Sequence, residues 1–178
     1  MKIIIKLGIL LAIMLNSLLG LSQSKSSKIY NMFSGKDGVS SISLSKSAIT
    51  PFDVFLDDDT KEIILKIDRF RFLSYNEHKG KLLSEEVFDR IESELTGVEY
   101  FQIDPSEIDC RDCIDDWNDN NVRLIGRGNR QTMNEFHILV LDNRNCILFS
   151  FYGNFSINDI NSCAKFSHTA KINISTSN

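Results

Sequence analysis

The chain has no excess of positive charge: 20 lysines and arginines face 24 aspartates and glutamates, and the formal net charge is -4. Nucleic-acid affinity comes mainly from Lys and Arg displacing counterions from phosphates, so a chain without a basic cluster is excluded from that class of partner. Catalytic signatures are missing too. No serine occupies a Gly-x-Ser-x-Gly turn, Gly126-Arg-Gly128 falls far short of a phosphate-binding loop, and His78, His137 and His168 stand in no nucleophile or metal motif. No internal repeat is visible, and no cofactor is implied. These absences point away from an enzyme.

What is present begins at the first residues. Lys2 and Lys6 flank an apolar run from Ile3 to Leu19, interrupted by Gly8, Asn16 and Ser17, which is the layout of a secretory signal peptide. The run is long enough for an uncleaved anchor, but the small residues Gly20 and Ser22 stand three and one before Gln23 and favour a cut there. No cysteine is near that point, which excludes a lipid-anchored lipoprotein. Cleavage after Ser22 leaves 156 residues with 18 basic and 24 acidic side chains, enough for one domain with its own core and no membrane span. The expected organisation is a signal peptide over 1–22, a polar leader over 23–27, one domain over 28–167 and a flexible tail over 168–178.

Ile29, Met32 and Phe33 recur at helical spacing before Gly35, predicting a helix over Ser27 to Ser34. Val39 to Ser45 alternates apolar residues with serine and reads as a half-buried strand. Pro51 interrupts the apolar set from Ile49 to Leu56, so Lys46 to Asp59 is a short helix or ordered loop ending in the solvated turn Asp57-Asp58-Asp59-Thr60. A strand follows over Ile67 to Tyr75, with Phe70 and Phe72 opposing Arg69 and Arg71. Ser84, with Glu85 and Glu86 behind it, opens the clearest helix, whose apolar face is Val87, Phe88, Ile91 and Leu95. Further strands are expected at Val98 to Ile103, Val122 to Ile125, Phe136 to Leu141 and Cys146 to Tyr152. The turn Asp142 to Asn145 joins the last two into a hairpin, apolar on both faces and therefore central. Ser156 and Asp159 form a capping box for a last helix over Ile157 to Phe166. The fold class is α+β: a mainly antiparallel sheet with helices packed on it.

Two stretches, Gly35 to Lys46 and Glu135 to Leu141 through Ser150 to Ile157, resemble the two ends of domain-of-unknown-function family 4252. The resemblance spans about Lys28 to Phe166 and implies small exported proteins of Bacteroidota with no assigned catalytic residues. The segment Asp104 to Asn121 has no counterpart in that pattern.

That segment holds Cys110-Arg-Asp-Cys113, and two further cysteines stand at Cys146 and Cys163. A redox dithiol needs a thiolate, yet Asp104, Glu107, Asp109, Asp112, Asp115 and Asp116 surround the pair with Arg111 alone opposing them, and negative neighbours disfavour another negative charge. An even cysteine count in an oxidising compartment reads more simply as structural, pairing Cys110 with Cys113 and Cys146 with Cys163, or leaving Cys163 a buried free thiol. Zinc spacing is absent, and the acidic stretch lacks the ligand order of a calcium loop.

Trp117, in the acidic loop, and Arg69 and Arg71, on one strand face, are the candidate contact residues, set against ordinary packing. Two functional classes follow. One is a noncatalytic envelope domain binding a protein or ligand; the alternative is a periplasmic thiol-redox protein using Cys110 and Cys113.

Overall fold

A computed structural model describes residues 24–49, 58–107 and 121–163. The signal peptide, Cys110, Cys113, Trp117 and the tail over 168–178 lie outside the described residues. The elements run α1 (Lys25–Phe33), β1 (Val39–Ser45), α2 (Lys46–Ile49), α3 (Asp58–Lys66), β2 (Ile67–Asn76), α4 (Ser84–Glu94), β3 (Tyr100–Ile103), β4 (Val122–Gly128), β5 (Met133–Asp142) and β6 (Asn145–Phe155). Short 3-10 turns stand at Pro105–Glu107 and Ile157–Asp159. The strands form one six-stranded sheet in the order β1-β2-β6-β5-β4-β3. Every neighbouring pair is antiparallel. The fold is α+β, as the sequence pattern predicts.

Period-two alternation sorts the side chains onto two faces. One carries Phe70, Phe72, Phe136, Phe149, Phe151 and Phe155 and is packed by Ile49 of α2 and by Ile63 and Ile64 of α3. The other carries Leu73, Leu139 and Leu148 under Ile29 and Phe33 of α1 and Val87 and Ile91 of α4. The β5–β6 hairpin is buried on both sides and takes the centre of the sheet, and its turn places Asn143 at φ 51°, a left-handed conformation that asparagine tolerates. The Ser156–Asp159 capping box is made in full, and Asp159 also receives Lys66 of α3 at 2.6 Å.

Strands β4, β5 and β6 extend beyond the bounds read from sequence, and four further departures have a local cause. The serines read as a polar leader instead cap and open α1: the Ser24 side chain accepts from the Ser27 N–H, and Ser26 is wholly buried. Asp58 and Asp59, read as a turn, open α3, because carboxylates are equally favoured at a helix start. Ser84 is the first helical residue of α4 rather than its cap; its N–H and hydroxyl both reach the Glu77 carboxylate at 3.2 Å. Strand β3 starts at Tyr100, because Gly97 at φ 124° turns the chain and leaves Val98 fully exposed. Among the described residues no helix is long and apolar enough to cross a membrane.

Candidate functional site

On the α1 face, register lines up two polar rows. His137 lies opposite Ser150, which lies opposite Arg71; Glu135 lies opposite Tyr152 and opposite Arg127, which faces Tyr100. These side chains lie on the same sheet face as the leucine cluster, beneath the first turns of α1.

The rows are tied into one chain of hydrogen bonds. Tyr30 of α1 donates to the Ser150 Oγ at 3.0 Å, and that hydroxyl lies 2.9 Å from His137 Nδ1. His137 Nε2 lies 3.2 Å from Glu135 Oε2, which also accepts from the Ser26 hydroxyl of α1 at 2.7 Å. The other carboxylate oxygen accepts from Arg127 Nη1 at 2.7 Å, and Arg127 is held in turn by Glu99. A carboxylate can only accept, so Nε2 carries a proton and donates it to Glu135.

Glu135, His137 and Ser150 are almost wholly buried. Burial alone would raise the Glu135 carboxyl, but His137, Ser26 and Arg127 outweigh it and hold the carboxyl at about 2. Burial drives the Tyr30 hydroxyl well above the usual phenol range, so it stays a donor. The Arg71 guanidinium lies 3.7 Å over the Tyr30 ring, a cation–π contact that pins the same helix residue from below. The Tyr152 hydroxyl is buried beside Ser26 and Arg71, and burial pushes it and the Tyr100 hydroxyl above the usual phenol range, so both stay protonated.

Serine, histidine and glutamate in sequence along one hydrogen-bond chain are the residue types of an acyl-transfer triad. Here they do not act as one. The serine lies mid-strand at 0% exposure, its oxygen already engaged by Tyr30, and a general base must reach a substrate proton to use it. The chain instead fastens α1 to the sheet at both ends, through Ser26 and through Tyr30.

Of the described candidates read from sequence, Arg71 joins this network and the others do not. Arg71 is tucked under α1, whereas Arg69 is exposed with its guanidinium 5.4 Å from the centre of the Tyr152 ring. The expected Cys146–Cys163 bridge is not made: both are free, buried thiols, Cys146 in the α1-face cluster and Cys163 in the phenylalanine cluster on the opposite side of the sheet. Burial pushes the Cys146 thiol up to about 12 and the Cys163 thiol higher still, so both are inert. Glu135, Ser26, Tyr30, Ser150 and Arg127 were not singled out from the sequence. The available signal was Glu135-x-His137, two ionisable residues sharing one face of an otherwise apolar strand.

Open concavities lie at the end of the sheet beside the β2–α4 loop. A cleft of about 290 Å³ is walled by Phe33, Val39, Tyr75 and Leu82, with Lys36, Asp37 and Lys81 also lining it. A second, of about 310 Å³, shares Lys81 and Leu82 and is lined by Glu77, His78, Glu86 and Arg144. The loop between them is rigid: the Tyr75 hydroxyl donates to the Leu82 carbonyl at 2.6 Å and accepts from its N–H at 2.8 Å. Among the described residues no three His, Cys, Asp or Glu side chains are grouped as metal ligands would be. No family model, curated protein or solved structure matches the chain.

Proposed function

We propose that this is a noncatalytic, exported envelope domain that binds a protein or ligand. One observation carries the noncatalytic half: the Glu135–His137–Ser150 chain, which has the residue types of a catalytic relay, is sealed and spent on holding α1. The apolar leader over residues 1–22 and the resemblance to family 4252 support the exported half. Binding is supported by the two clefts that share Lys81 and Leu82: the first has aromatic and aliphatic walls with charged groups at its rim, as ligand and peptide sites do, and the second is lined mostly by charged side chains. A thiol-redox role would rest on Cys110 and Cys113 alone.

A photo-cross-linker placed at Lys81 in intact cells tests the reading. The expected result is a discrete, saturable adduct that Leu82→Asp abolishes and Cys110→Ser leaves intact. No saturable adduct, or one indifferent to Leu82→Asp, counts against binding at these clefts. Loss with Cys110→Ser would favour the thiol reading.

A further inference from the structure

We propose that β1 is the dimer edge of this protein, pairing antiparallel with β1 of a second copy about a two-fold axis through Ile42, so that the two six-stranded sheets become one.

Among the described residues no strand pairs with the outer side of β1, and the strand itself is unguarded. Val39–Ser45 holds no charged residue and no proline, and its register with β2 runs without a bulge, so the devices that normally blunt an edge strand are missing. Its residues are exposed on both sides: Ser40, Ser41, Ser43 and Ser45 face solvent, and Ile42 keeps 54% of its surface exposed. The opposite edge, β3, has four residues against the seven of β1.

The hydrogen-bond parity of β1 selects the register. Asn76 N–H donates to the Gly38 carbonyl at 2.9 Å, which makes Gly38 and Asn76 a hydrogen-bonded pair. Alternation then turns Ser40, Ile42 and Leu44 toward β2 and points the backbone groups of Val39, Ser41, Ser43 and Ser45 outward. A two-fold axis at Ile42 matches outward groups with outward groups. Ser41 and Ser43 of the two copies exchange N–H and C=O bonds, and Ser45 N–H reaches the Val39 carbonyl. The Val39 N–H, already bonded to Lys36 at 3.1 Å, is not needed.

Side chains agree with this register. Ile42 meets its own copy at a non-hydrogen-bonded position, where facing side chains stand closest, and its exposed surface is covered. Leu44, packed at the rim of the phenylalanine cluster, extends that apolar face toward the junction. Ser41 faces Ser43, a pair able to hydrogen-bond across strands.

Sedimentation equilibrium of the purified full chain across a wide concentration range is the test. The expected result is a reversible dimer, with Ser43→Pro monomeric and unchanged in circular dichroism, because the proline removes an outward N–H that the monomer does not use. Should Ser43→Pro fail to fold, Ile42→Lys at an exposed site is the second variant, expected to weaken association at least about tenfold. Ile42→Cys should form a disulfide-linked dimer on oxidation. A wild-type chain that stays monomeric at every concentration, or a dimer that survives both Ser43→Pro and Ile42→Lys, overturns the proposal.

Discussion

The two faces of the sheet hold their helices by different physics. On the α2–α3 face a ladder of phenylalanines packs ring against ring, Phe70 to Phe151 at 5.2 Å and Phe72 to Phe149 at 5.3 Å between centroids. On the α1–α4 face the leucine cluster covers only part of the sheet, and the rest is an ionised carboxylate, an imidazole, the guanidinium groups of Arg71 and Arg127, and hydroxyls. Apolar packing is non-directional and changes little with pH. A buried polar network is directional, tolerates few rearrangements and depends on the charge of Glu135. One face therefore supplies bulk stability, and the other fixes where α1 sits.

The largest effect is expected where the phenylalanine ladder is cut. Phe136, fully buried, should cost about 3–5 kcal/mol on replacement by alanine, by an amount that denaturant titrations find equal at neutral and acidic pH.

The polar face should respond to acid instead. The folded Glu135 carboxyl is held at about 2, below its ordinary 4.5, so its contribution is complete above pH 4.5 and lost as pH falls through 2. That shift corresponds to about 3 kcal/mol. Glu135→Gln should flatten this part of the stability profile between those pH values, whereas Phe136→Ala should leave its slope unchanged; an unaltered slope in Glu135→Gln would break the comparison.

The smallest effect belongs to Tyr30→Phe. It keeps the ring under which Arg71 lies and removes the hydroxyl that reaches Ser150. A loss of about 1 kcal/mol is expected, with faster amide exchange confined to α1 and its contacts. A loss spread equally over both faces would show that α1 is not fastened separately.

Much of this architecture is legible in local pattern. The alternation of Phe70 and Phe72 with Arg69 and Arg71 correctly divides β2 between the faces. The doubly apolar hairpin correctly predicts its central place, and Ser156 with Asp159 marks a real cap. The helix α3 is missed because three consecutive aspartates suit a turn and a helix start alike. The Cys146–Cys163 bridge fails because the face on which Cys163 lands depends on how the last helix folds back, which no spacing encodes. Candidate site residues were legible only in fragments. His137 reads as packed in a strand, and so it is, but its partners come from α1 and β6, with Ser26 and Glu135 separated by 109 positions and Tyr30 and Ser150 by 120.

By itself, the sequence determined the class of fold, the two-sidedness of the strands and the position of most elements, because hydrophobic periodicity and capping act over a few residues. Only the tertiary structure decided which polar side chains share a row. That depends on strand order and register, and a slip of one residue would turn Glu135 and His137 to the opposite face. The same long-range choice separated the two buried thiols, sealed the serine beneath α1 and left β1 at the margin of the sheet.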